Sequence, residues 1–220
     1  MAEKKDSKEN KELNIIHNIK LILLGEVATG KTCLINTFLG KDFNSGEKST
    51  INPVLNFKEF NINNNNLKVS LWDTMGQERF RAVTANFIKD SNVVIFVYDI
   101  TKKETFLELN YWVDTVKREM GDEPVILGIA ANKIDLLNEV KDEDDNLVGK
   151  EEGEEYAHNI GAIFSETSAK INVGFGSLVN KILEKLILNK EMMEKTKEFQ
   201  ENEQKFNLVN PSKKKEKCMK

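Results

Sequence analysis

Gly25-Glu-Val-Ala-Thr-Gly-Lys-Thr32 is the stretch that decides the fold. It fits G-x-x-x-x-G-K-[ST] and lies where that pattern has a mechanism, between a short apolar run and a helical segment. The run Ile19-Lys-Leu-Ile-Leu-Leu24 reads as a buried strand ending at Gly25. Lys31 to about Leu39 reads as a helix closed by Gly40. Such a loop turns its backbone N–H groups around phosphate oxygens, and the helix N-terminus adds a favourable dipole. Lys31 is placed to reach the β- and γ-phosphates, and the Thr32 hydroxyl to bind Mg²⁺. Gly25, Glu26, Val27, Ala28, Thr29, Gly30, Lys31, Thr32 and Cys33 are therefore candidate nucleotide-binding residues. An ordinary glycine-containing strand–helix loop is the bland alternative, and the motif alone does not separate ATP from GTP.

Outward from this loop the chain alternates strands with helices. Extended segments are expected near Leu55–Ile62 and Leu67–Trp72, joined by a turn at Asn63-Asn-Asn-Asn66, because Asn tolerates left-handed backbone. Val93–Tyr98 and Val125–Ala131 read as further buried strands, and Ala162–Ser165 as a last short strand. Phe106, Leu109, Val113 and Val116 have helical spacing, as do Leu178, Ile182 and Leu186. This order implies an α/β fold with a mostly parallel central sheet, one antiparallel edge strand and helices on both faces.

Two more loops bear on the chemistry. Asn132-Lys-Ile-Asp135 follows a strand, and a carboxylate there can accept from guanine N1–H and the 2-amino group. Adenine lacks that donor pair and leaves the carboxylate unpaired. Ser168-Ala-Lys170 follows the next strand, where a backbone N–H can meet guanine O6. Asn132, Lys133, Asp135, Ser168, Ala169 and Lys170 are thus candidates for the base, with Phe43 either covering its edge or anchoring a surface loop. Asp73-Thr-Met-Gly-Gln77 supplies the remainder. Asp73, with Thr32 and Thr50, is the candidate metal set. Gly76 permits close approach of its N–H to a γ-phosphate. Gln77 would orient an attacking water while Lys31 stabilises charge, so these two are the candidate catalytic residues.

Together these segments resemble the Ras superfamily and, within it, the Rab GTPases of membrane traffic, over about Ile19 to Leu188. Trp72-Asp-Thr-Met-Gly-Gln-Glu-Arg-Phe80 is one substitution from the Rab form, which has Ala in place of Met75. Val97-Tyr-Asp-Ile-Thr101 and Glu166-Thr-Ser-Ala-Lys170 match the Rab pattern outright. The resemblance implies a small-GTPase domain over 18–190, GTP/GDP and Mg²⁺ as ligands, slow hydrolysis and a monomer. It also implies an exchange factor, a GTPase-activating protein and effectors as partners, on the cytosolic face of an endomembrane. Two competing functions are a GTP-locked binding module with little hydrolysis and a P-loop phosphotransferase. The Asn132–Asp135 and Ser168–Lys170 loops argue against the phosphotransferase.

The departures from the Rab pattern matter as much. Val27 stands where a small Gly or Ser is usual, and it either crowds Gln77 and slows hydrolysis or is accommodated by a small loop shift. Asn52 and Pro53 replace a glycine region in the strip that normally presents the effector surface, and Pro53 removes a donor. Met75 is either core filler or an effector contact. The acidic stretch Glu139–Asn146 is either a solvated loop or a dock for a basic partner.

Composition bounds the rest. The net charge of −4 gives no global field for nucleic acid, and none is expected as a partner. No stretch approaches the roughly 20 apolar residues of a membrane span. Residues 1–17 read as a disordered arm without the features of a secretory signal. Residues 191–220 read as a charged tail in which Met192, Met193, Phe199 and Phe206 are scattered, either continuing the last helix or flexible. The basic run near the end would favour an anionic leaflet by about 1 kcal/mol per residue. Cys218 is the lipidation candidate, although it fits neither a paired-cysteine ending nor the C-a-a-X box.

Overall fold

The computed structural model describes residues 16–47, 49–139 and 145–196, and the structural statements below concern those residues. The apolar runs become the strands of a six-stranded sheet: β1 Ile16–Leu24, β2 Val54–Ile62, β3 Asn65–Asp73, β4 Val93–Asp99, β5 Ile126–Asn132 and β6 Ile163–Thr167. The spatial order is β2-β3-β1-β4-β5-β6, antiparallel between β2 and β3 and parallel elsewhere. Five helices lie between them, α1 Lys31–Phe38, α2 Arg81–Ala85, α3 Lys103–Leu107, α4 Leu109–Met120 and α5 Lys150–Asn159, and α6 Phe175–Leu188 follows β6.

β1 shows why both faces are covered. Ile19, Leu21 and Leu23 point into a core shared with α1 and α6, while Ile22 and Leu24 point into a second core built around Trp112, Val113 and Val116 of α4. Alternate side chains of one strand thus serve two helical layers. β4 is buried at every position, as a continuous Val/Ile/Phe run requires.

The asparagine turn is tighter than its four residues suggested. Only Asn63 and Asn64 lie outside the strands, with φ of 49° and 62°, a two-residue hairpin with both residues left-handed. The helical pattern from Phe106 to Val116 is split between α3 and α4 at Glu108.

Both expected boundaries shift. β1 already begins at Ile16, and His17 is buried with its Nδ1 2.8 Å from Thr196 Oγ1, so the arm ends short of residue 17. At the other end, residues 190–196 are helical, and Met192, Met193 and Thr196 are buried. The packed domain therefore runs past 190, at least to Thr196. Asn189 separates this helical stretch from α6. It turns extended, with ψ of 97°, and its Oδ1 accepts from Met192 N–H at 3.2 Å. That cap starts a new helical phase, which hides the apolar spacing from a pattern continued from α6. Cys218, Phe199 and Phe206 lie outside the described residues, as does most of the acidic stretch.

Candidate nucleotide site

The loops following β1, β3, β5 and β6 meet at the carboxyl edge of the sheet, where β1 divides connections running to either side. That is where open α/β sheets bind ligands. A cavity of about 430 Å³ lies there. Its wall includes Val27, Ala28, Gly30, Lys31, Thr32 and Cys33 from the first loop and helix. Phe43, Thr50 and Gly76 line it from the following segments, and Asn132, Lys133, Asp135, Ala169 and Lys170 from the far end.

The first loop is held by contacts that only small residues permit. Gly25 has φ of 146°, and a Cβ there would stand 2.1 Å from Val97 O. Ala28 takes a left-handed φ of 63° without being glycine. Lys31 is buried, and its ammonium donates to Gly25 O and Glu26 O, both at 2.8 Å. Burial pushes that ammonium down to about 8, against the pull of Asp73 and Glu26. Among the described residues it is a buried cation without an ion pair at short range, beside a loop of backbone N–H groups, and a polyphosphate supplies the charge it lacks.

Three oxygen donors converge beside it. Thr32 Oγ1 donates to Asp73 Oδ2 at 2.8 Å, Thr32 and Thr50 hydroxyls lie 2.8 Å apart, and Thr50 Oγ1 is 3.4 Å from Asp73 Oδ2. Asp73 is 2% exposed, and its Oδ1 is buried without a hydrogen-bond partner among the described residues. Burial pushes its carboxyl up, against the hydrogen bond from Thr32 and the charge of Lys31. An orphaned carboxylate oxygen beside two hydroxyls fits a hard divalent cation, so Thr32, Thr50 and Asp73 are the residues that would hold Mg²⁺. When bound, the ion neutralises phosphate charge.

At the far end the loops lock one another. Asn132 donates from Nδ2 to Thr29 O at 2.8 Å, and its Oδ1 accepts from Thr167 at 3.2 Å, so it ties the phosphate loop to β6. Lys133, at φ of 74°, sets its ammonium 2.6 Å from Asp99 Oδ2. Asp135 accepts from the Ser168 hydroxyl and lies 3.7 Å from Lys170 Nζ. Its carboxylate is thereby held by Ser168 behind the wall and by Lys170 on it. Phe43, 39% exposed, also lines the cavity.

Some expected site residues stand elsewhere. Gly25, Glu26, Thr29 and Ser168 support the wall from behind, and Asp73 lies beneath Thr32 and Thr50. Gln77 is off the wall, and its Oε1 accepts from Arg79 Nε at 2.7 Å. Met75 is buried, which fits core filler, one of its two expected roles. Two participants escaped sequence reading: Asp99, which holds Lys133, and Arg81, which bonds Glu26. An acidic residue inside the phosphate loop was the signal for the second.

A mostly parallel sheet with a Gly-x₄-Gly-Lys-Thr loop at its carboxyl edge defines a P-loop nucleotide-binding domain. Residues 20–188 match the Ras family. The chain belongs to that family, and its domain is that of a small GTPase switch that binds guanine nucleotide.

Proposed function

We propose that this protein is a Rab-like switch of membrane traffic that hydrolyses GTP slowly and acts on the cytosolic face of an endomembrane. The convergence of Lys31, Thr32, Thr50 and Asp73 at one end of a cleft, with Asp135 at the other, carries the nucleotide half of this reading. Gly76 and Thr50 border the place where a γ-phosphate would lie, so loss of that group releases both loops. Catalysis in such a site is positioning and charge stabilisation. The traffic half rests on the Rab-like strip Trp72–Phe80 and on the apolar side chains Ile51, Val54, Leu55 and Phe57, which are exposed on and before β2. That surface suits effectors, and the basic C-terminal run with Cys218 suits an anionic membrane. A fluorescent fusion is expected to sit on an endomembrane and to lose that location when Thr32→Asn removes the metal-binding hydroxyl. Identical distribution of both forms would sink the traffic reading.

Val27 favours a second reading, the GTP-locked module. It is 38% exposed on the cleft wall, and its backbone N is among the atoms nearest Gly76. A branched side chain there takes space beside the γ-phosphate position. Val27→Gly is expected to speed single-turnover hydrolysis between about tenfold and a hundredfold, since small misplacement in a positioned reaction costs that much. Equal rates would remove Val27 from the account. The nucleotide that co-purifies with the protein separates the readings: mostly GDP supports a working hydrolase, and mostly GTP supports the locked module.

A further inference from the structure

We propose that Glu26 and Arg81 are positioning residues for hydrolysis, a clasp that fixes the Gln77 loop against the phosphate loop. The inference rests on the hydrolysing reading above. Glu26 is touched twice by the same segment. At its backbone, Gly76 packs so closely that a Cβ would lie 2.6 Å from Glu26 C and O. At its side chain, Glu26 Oε1 accepts from Arg81 Nη2 at 2.7 Å. Residues 76–81 are thus anchored at both ends on one residue of the phosphate loop, and Gln77 is the first residue of the span between.

The clasp has its own supports. Trp112 is fully buried and donates its indole N–H to Glu26 Oε1 at 3.2 Å, which fixes the carboxylate from below. Arg81 also donates to Glu108 Oε2 at 2.8 Å, and its guanidinium lies 4.4 Å from the Tyr111 ring centroid. The Arg81 and Glu26 side chains are only 22% and 15% exposed, so this pair is shielded in a way that a surface ion pair is not. Without it, the segment would touch Glu26 only through Gly76, and Gln77 would lose the second tie that fixes it against the phosphate loop.

The test is single-turnover hydrolysis by the full chain loaded with GTP, alongside GDP dissociation. Glu26→Ala and Arg81→Ala are each expected to slow hydrolysis between about tenfold and a hundredfold, and in Arg81→Ala GDP is expected to dissociate at the wild-type rate. The double variant is expected to be no slower than the slower single one, because both remove one contact. Glu26→Gln, which still accepts from Arg81 and Trp112, is expected to recover most of the rate. Wild-type hydrolysis in either alanine variant, a Glu26→Gln protein as slow as Glu26→Ala, or GDP release from Arg81→Ala rising in step with its loss of hydrolysis would overturn the clasp. Wild-type protein that releases no phosphate would instead overturn the hydrolysing reading. The clasp is then read from the Trp112 indole N–H resonance, expected to shift in Arg81→Ala; an unmoved resonance counts against it.

Discussion

An Asp135→Asn protein is expected to lose guanine nucleotide and to accept xanthine nucleotide in its place. The carboxylate offers two acceptors, and the Ser168 hydroxyl and Lys170 ammonium hold it in place. Guanine presents N1–H and a 2-amino group to such a pair. Asparagine replaces one acceptor by an NH₂ donor, which faces the 2-amino group donor to donor. Xanthine has a carbonyl at that position and restores the match. A site built to hydrogen-bond its substrate rejects an analogue lacking the partner by a factor on the order of 10⁴. GTP affinity is therefore expected to fall by about that factor, with xanthosine triphosphate gaining where GTP loses. Displacement of fluorescent GDP by each nucleotide measures both. Unchanged GTP affinity would mean that the base does not sit at Asp135.

Gly76→Ala is the second large effect. Its added Cβ would fall 2.5 Å from Val27 N and 2.6 Å from Glu26 C and O. These are backbone atoms of the phosphate loop and cannot step aside as a flexible side chain would. The segment from Met75 to Gln77 must therefore move away from the cleft, while Lys31, Thr32 and Asp135 keep their places. GDP binding is expected to persist, and hydrolysis to drop by about a hundredfold or more, because the displaced groups act only by position. Rapid-quench measurement on pre-loaded protein decides it. Hydrolysis at the wild-type rate would show that Gly76 is an ordinary loop residue.

What was legible in the sequence depended on range. The phosphate loop is contiguous, each of its residues acts within a few positions of the next, and the apolar run before it fixes the strand. The base loops were legible because each follows a strand directly, so sheet order alone brings Asn132 and Thr167 side by side. The Glu26–Arg81–Trp112 cluster was not legible, since its members lie 55 and 86 residues from Glu26 along the chain and meet only once α2 and α4 pack. Asp99 was read for its resemblance and not for its contact, because no local pattern shows that Lys133 turns left-handed to meet it. The helical segment 190–196 was hidden by a phase change at Asn189. Gln77 shows the converse: its identity was clear, and its side-chain direction, toward Arg79, was not.

The most direct test of the central claim is competition between nucleotides for the loaded protein. Purified full-length protein carrying fluorescent GDP in Mg²⁺ buffer is challenged with unlabelled GTP, GDP and ATP. GTP and GDP are expected to displace the label near stoichiometry, while ATP leaves it bound at about a thousandfold excess. Displacement by ATP as readily as by GTP would contradict a guanine-nucleotide switch.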